Sequence, residues 1–313
     1  MKCKGCGGDN AVIKMRQHRL ALCAECFPAW LRRHTQRTIE RYDMFEPADK
    51  VLVAVSGGKD SLALWDVLVA LGYNAEGVYI DLGIPHRDYS AQSQTKAVAF
   101  AQARGLVLHV VDLVATYGAG VPEKAKELRG RSACSLCGLV KRHEMNRVAR
   151  EGDFTVLATG HNLDDEAATL LGNTLHWQTG YLARQAPVLP ATTDGFMRKV
   201  KPLCRVAERE SAAYALLLGI DYIRDECPFS ANASSLFYKR LLNQLEERSP
   251  ASKQSFYLEF LKARERGTAT FREPERPPMT PCERCGQPTT AGGLCAFCRL
   301  WTREPDANEN QRR

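Results

Sequence analysis

The chain lacks any apolar run of the roughly 18 to 20 residues needed to span a bilayer as a helix. Its first residues, Met1-Lys2-Cys3-Lys4-Gly5-Cys6, contain no apolar segment of the secretory type. With 44% hydrophobic and 25% charged residues over 313 positions, disordered and fibrous classes are excluded for the bulk of the chain. These absences point to a cytoplasmic protein. In a reducing compartment twelve cysteines seldom mean a disulfide framework.

Cysteine is what the chain has in excess, and it comes in pairs. Ten of the twelve form five Cys-x-x-Cys units: 3/6, 23/26, 134/137, 282/285 and 295/298. Only Cys204 and Cys227 stand alone. Two thiolates three residues apart chelate one metal ion from one tight turn. Cys3, Cys6, Cys23 and Cys26 therefore read as one closed tetrahedral Zn²⁺ site, and Cys282, Cys285, Cys295 and Cys298 as a second. Four protein ligands leave no open position, so both sites are structural. Segments this short usually need such a staple to fold.

The formal charge is +7, unevenly spread. Residues 1–46 and 231–313 each carry +4, whereas 47–230 carry −1. Zinc bound by four thiolates is net negative, so the total charge says little about nucleic acid. Residues 124–150 say more. Eight basic residues face two acidic ones, around Cys134 and Cys137. That is either a solvated helix face or a phosphate-binding wall.

The pattern predicts an α/β protein whose central doubly wound parallel sheet is flanked by N- and C-terminal zinc modules. Strands are expected at Val51–Val55, Gly77–Ile80, Val107–Leu113, Phe154–Thr159 and Asp221–Arg224, alternating with helices near 61–71, 90–104, 136–150, 164–175 and 206–218. The expected divisions are a first zinc finger at 1–30, a linker helix at 31–46, a nucleotide-binding catalytic domain at 47–230 and one or two amphipathic helices within 231–267. A Pro-rich linker at 268–281, a second zinc finger at 282–301 and a polar tail at 302–313 follow.

Three motifs in the central region carry chemistry. The strand Val51–Val55 runs into Ser56-Gly57-Gly58-Lys59-Asp60-Ser61 and then a helical pattern. Glycines let backbone N–H groups close on phosphate oxygens, and a helix N-terminus adds positive charge. The G-x-x-x-x-G-K-[ST] loop of γ-phosphate transfer is absent. In Cys134-Ser-Leu-Cys137-Gly138-Leu-Val-Lys141-Arg142, helical spacing puts Cys134, Cys137 and Lys141 on one face, where nearby cations favour thiolate. Cys227, expected just beyond a strand end, can complete a three-cysteine set; Cys204 reads as a buried structural cysteine. In Gly160-His161-Asn162-Leu163-Asp164-Asp165, Asn162 or Asp164 caps a helix, and Asp165 can face Mg²⁺, ATP or a reacting base.

With these motifs the chain resembles the tRNA 2-thiouridine synthetase (tRNA uridine 2-sulfurtransferase) family of the adenine nucleotide alpha hydrolase, or PP-loop, superfamily, in the group with two terminal zinc fingers. Cys26 stands where that group often has histidine. The resemblance implies that Ala54, Ser56, Gly57, Gly58, Lys59, Asp60 and Ser61 hold ATP phosphates, with Ile80 and Gly160 against the adenosine. It implies a [4Fe–4S] cluster on Cys134, Cys137 and Cys227, and catalytic roles for Lys141, Asp165, Cys134 and Cys227. It further implies Mg²⁺, tRNA as substrate, a thiocarboxylated ubiquitin-like protein as sulfur donor, and a homodimer. The implied activity is adenylation of uracil O2, preferably in the T-loop, followed by sulfur transfer. A scheme without a cluster, with persulfide on Cys227, leaves Cys137 idle. The alternatives are a wobble uridine or anticodon-loop cytidine as target, a PP-loop amide ligase, and an RNA-binding zinc module without enzymatic activity.

Overall fold

The computed structural model describes residues 1–128, 132–230, 234–267 and 277–302. The first cysteine module holds the hairpin β1 (Ile13–Met15) and β2 (Leu20–Leu22) and leads into α1 (Cys26–Arg41). The central region follows as β3 (Lys50–Ala54), α2 (Lys59–Ala70), β4 (Asn74–Asp81), α3 (Tyr89–Arg104), β5 (Leu108–Asp112), α4 (Leu113–Tyr117), α5 (Val121–Glu127), α6 (Ala133–Glu151), β6 (Val156–Thr159), α7 (Leu163–Leu175), α8 (Thr179–Arg184), β7 (Val188–Leu189), β8 (Arg198–Val200) and α9 (Glu208–Leu217). The helical pair α10 (Ser234–Arg248) and α11 (Ser252–Glu265) comes next, and then the second module with β9 (Thr280–Pro281), β10 (Pro288–Thr289) and α12 (Ala296–Thr302). No described helix is long and apolar enough to cross a membrane.

The main sheet has the order β5-β4-β3-β6-β8-β7. All pairings are parallel except β7 with β8. The order reverses between β4 and β6, on either side of β3, which places a ligand crevice at the C-terminal end of β3. β3 is central and apolar on both sides: Val51 and Val53 join one core, and Leu52 joins the other. The first core also contains Leu62, Trp65, Ala97, Phe100 and Tyr214, from α2, α3 and α9. The second contains Leu136, Val140 and Val148 of α6.

Both cysteine modules are continuous with these cores. Ile13, Met15, Leu22 and Phe27 belong to the first, and Cys282, Phe297 and Leu300 to the second. The helix expected at 31–46 begins inside the first module, at Cys26. The segment Asp221–Arg224 is not a strand but coil. Its Ile223 N–H donates to the Gly57 carbonyl at 2.9 Å, so its backbone serves the loop after β3 rather than a ladder. The fifth parallel strand is Arg198–Val200, too short and too polar to stand out in the sequence. Cys204 is fully buried, as read from the sequence. The expected linker lies outside the described residues from 268 to 276, and the expected tail from 303 onward.

Candidate nucleotide and cysteine site

The loop after β3 is built as its residue types dictate. Gly57 has φ +74°, and a Cβ there would run into the Ser93 carbonyl oxygen. Only glycine meets both demands. Ser61 Oγ accepts from the Ser56 N–H at 3.1 Å and donates to the Gly58 carbonyl at 2.9 Å, closing the loop on the start of α2. α7 opens beside it under a capping box. Asn162 Oδ1 accepts the N–H groups of Asp164 and Asp165, and Asp165 Oδ2 accepts the Asn162 N–H. Asn162 is thus the cap. Asp164 instead accepts the Glu208 N–H and pairs with Lys253.

Between these two helix starts lies a cavity of about 410 Å³. Its walls include Ala54, Ser56, Asp60, Ser61, Ile80, Lys141, Gly160 and Asp165, all expected from the sequence, and also Tyr79, Ser93, Met145 and His161. Gly57, Gly58 and Lys59 are not in the wall. Lys59 turns away to Glu208 at 2.7 Å and Asp60 at 2.9 Å. Asp60 Oδ1 is buried and has no hydrogen-bond partner among the described residues.

α6 starts at the Ser132 cap, whose side chain accepts the Ser135 N–H. Its face with Cys134, Cys137 and Lys141 turns away from the buried Leu136 and Val140. Lys141 thereby reaches the cavity while the two cysteines stand a turn or two earlier. Cys227 approaches them from the coil after Arg224. The Cys134 Sγ–H donates to the Phe229 carbonyl at 3.1 Å. Burial pushes the Cys134 thiol up, the nearby Cys227 and Cys137 sulfurs push it further, and Lys141 opposes them. Lys141 thus favours the thiolate, against desolvation and the two neighbouring sulfurs. Lys141 and Arg142 make no ion pair among the described residues. By contrast Lys124 is tied to Glu127, and Arg147 to Glu144 and Glu151.

The terminal cysteines gather tightly. The sulfurs of Cys3, Cys6, Cys23 and Cys26 lie within 4.8 Å of one another, with Cys6 and Cys23 3.9 Å apart. A tetrahedral ion with Zn–S near 2.3 Å has sulfur–sulfur edges of about 3.8 Å. Backbone N–H groups, Cys6's foremost, draw the Cys3 thiol down to about 6. In the second module the comparable group is Cys285, Cys295, Cys298 and His143 of α6, with Cys285 and Cys295 3.8 Å apart. Cys282 stands beside that group, its sulfur accepting the Cys295 N–H at 3.2 Å. Burial, the largest influence, raises its pKa, yet the N–H groups of Cys295, Cys285 and Arg284 bring it to about 6. His143 went unread in the sequence because nothing in a helical Arg-His-Glu marks a donor to a distant module. Its ring stacks on Phe297 at 3.6 Å, and Nε2 lies 3.5 Å from Cys285 Sγ. Cys134, Cys137 and Cys227 form no such compact group. As a donor set, three thiols leave one position unfilled, which suits a cluster held by three of its irons.

Residues 31–245 match the model of the PP-loop domain, and residues 2–28 match that of the 2-thiouridine synthetase TtuA N-terminal LIM domain. The chain belongs to the tRNA 2-thiouridine synthetase family of PP-loop proteins. It is 52% identical to the tRNA-5-methyluridine(54) 2-sulfurtransferase of Thermus thermophilus, over 96% of this chain and 91% of that one. It is 42% identical to the enzyme of the same name from Pyrococcus horikoshii, over 98% and 96%. Among solved structures it resembles the U34-tRNA thiolase NcsA from Methanococcus maripaludis with its [4Fe–4S] cluster. The TM-score is 0.79 at 26% identity, covering 96% of this chain and 95% of that one.

Proposed function

We propose that this family member is an ATP-dependent tRNA sulfurtransferase that replaces O2 of the T-loop uridine with sulfur. One observation carries the reading. α6 bears Cys134, Cys137 and Lys141 on one face, and Lys141 enters the cavity walled by the PP loop. Relatives named for 5-methyluridine 54 favour the T-loop over the wobble position. The open cysteine triad speaks against an amide ligase, which has no use for it.

The residues divide the work. The loop Ser56–Ser61 and the start of α2 receive ATP phosphates through backbone N–H groups and the helix dipole. Ile80 and Gly160 flank the adenosine. Asp60, with its orphaned Oδ1, supplies a carboxylate for Mg²⁺, and Asp165 stands beside it in the cavity wall. Uracil O2 attacks the α-phosphorus, pyrophosphate leaves, and O2 becomes part of an AMP leaving group. Lys141 neutralises the charge that develops on the α-phosphate. Sulfur then takes the place of AMP at C2. Cys134, Cys137 and Cys227 would hold a [4Fe–4S] cluster, which supplies an open iron position for sulfur when bound. The two terminal modules would each hold a structural Zn²⁺. A thiocarboxylated ubiquitin-like donor, a homodimer and a cytoplasmic setting complete the reading.

The test is mass spectrometry of tRNA nucleosides from a deletion strain. Loss of 2-thiolated 5-methyluridine, restored by the wild-type chain, supports the proposal. Loss of a thiolated wobble uridine or cytidine instead would move the target, and intact thiolation of all three would refute the activity.

A further inference from the structure

Two carboxylates, Asp60 and Asp165, face the cavity, whereas Lys141 is the one lysine or arginine in its wall among the described residues. A triphosphate brings about four negative charges into that space, so more cation must be near. It stands one residue back. Lys59 Nζ lies 2.9 Å from Asp60 Oδ2 and 2.7 Å from Glu208 Oε1. Lys239 Nζ, from α10, lies 2.6 Å from Asp165 Oδ1 and 3.1 Å from Glu208 Oε2. The five side chains form a ladder, Asp60–Lys59–Glu208–Lys239–Asp165, whose two ends are the cavity's carboxylates. At its middle Glu208 gives one oxygen to each ammonium group. The lysines hold the Glu208 carboxyl below the usual range against the burial that would raise it, Lys59 contributing most.

We propose that Lys239 is a phosphate-binding residue of the nucleotide site, and that Glu208 is an internal anion which keeps Lys59 and Lys239 paired until the terminal phosphates of ATP replace it. A carboxylate bridging two ammonium groups presents them as a bridging phosphate would. The ladder carries three acids and two bases, a surplus of one negative charge beside an anion site. Transfer of the lysines from carboxylate to phosphate offsets the repulsion that ATP would otherwise meet. Asp165 is then the positioning acid that aims Lys239, since its other oxygen is already taken by the Asn162 N–H. α10 is placed for this by packing on α7, where the partly buried Tyr238 adjoins Ala167, Ala168 and Leu242.

This inference rests on the reading of the cavity as an ATP site, and the experiment separates the two. The binding of ATP, pyrophosphate and AMP to the full-length zinc-loaded protein is measured by calorimetry for wild type, Lys239→Met, Lys239→Arg and Glu208→Gln. If wild type binds none of the three, the ATP reading itself fails. If it binds, Lys239→Met should weaken ATP and pyrophosphate about tenfold or more and leave AMP within twofold, because AMP lacks the phosphates in question. Lys239→Arg should recover most of the loss. Glu208→Gln should tighten pyrophosphate severalfold by removing the competing anion. Unchanged ATP affinity in Lys239→Met overturns the proposal. So does an equal loss of ATP and AMP, which would make Lys239 a structural pin for α10. Weaker pyrophosphate binding in a folded Glu208→Gln overturns the stand-in role of Glu208.

Discussion

The Gly160 backbone lies so close to α2 that a Cβ at residue 160 would come 2.9 Å from the Ser61 nitrogen and 3.0 Å from the Asp60 carbonyl oxygen. The family resemblance implies that Gly160 lies against the adenosine. The structure adds a second reason, the abutment of two backbones at the junction of β6 and the PP loop. Both contacts are with main chain, which cannot swing aside. Gly160→Ala should therefore cost about 1–3 kcal/mol of stability and weaken ATP binding by tenfold or more. Denaturant melts and calorimetry check this; a normal melt with normal ATP affinity would show that the two segments part easily.

His34 supplies a pH dependence unrelated to the cavity. It lies on α1 against Trp30 and His18, at ring distances of 5.0 and 5.2 Å, and Nε2 meets the Arg205 carbonyl at 3.2 Å. Burial, with help from His18, lowers its pKa to about 4, against about 6.5 when unfolded. The folded imidazole thus stays neutral where the unfolded one takes a proton. Its contribution is whole above about pH 6.5, declines as pH falls toward 4, and levels off below that, for a total of at most about 3 kcal/mol. In urea melts at pH 7 and pH 5, His34→Asn should lose less stability on acidification than wild type. Comparing the two proteins at each pH cancels any effect of metal release. Equal losses would show that His34 titrates normally.

The sequence revealed most of the frame because buried parallel strands announce themselves. β3, β4, β5 and β6 are apolar and β-rich, and each is followed by a helical pattern. The failures have local causes. Arg198–Val200 is three residues long with two cations, so no periodicity betrays it. Asp221–Arg224 has the composition of a strand, but the Ile223 N–H is spent on Gly57. In the site, the residues that could be read were those in short contiguous motifs, where spacing alone puts them on one turn or one helix face. Glu208, Lys239 and His143 reach their partners across 149, 74 and 142 positions. Each sits in a helix whose local sequence explains it equally well as a solvated charge.

Cys137 separates the central cysteine triad from the terminal modules. Anaerobically purified protein should hold about four irons and about two zincs per chain. Cys137→Ser should lose the irons and the broad visible absorption, keep about two zincs, and melt close to wild type, because Cys137 is half-buried at the edge of its core. Zinc without iron in anaerobic wild-type protein, together with persulfide on Cys227, would replace the cluster reading with the sulfur-relay one.

Lys141 has two possible occupations, and they separate kinetically. It stands one helical turn beyond Cys137, unpaired among the described residues, in the wall of the nucleotide cavity. It also belongs to the basic stretch 124–150, where a lysine can simply hold an RNA phosphate. A lysine that only holds RNA lowers affinity and the salt dependence of binding, and leaves the saturated rate intact. One that meets charge developing on the α-phosphate acts in the transition state, so its loss lowers the saturated rate. Lys141→Ala should keep its irons and bind tRNA within about tenfold of wild type, a difference of roughly 1.4 kcal/mol. Thiolation at saturating tRNA and ATP should fall about a hundredfold or more, as when one preorganised donor is removed from a developing charge. The geometry favours this outcome: among the described cations of the stretch, Lys141 is the one that lies in the cavity wall, whereas Lys124 and Arg147 carry ion pairs. Single-turnover and steady-state assays at saturation decide it, and near-normal turnover would return Lys141 to the RNA-binding wall.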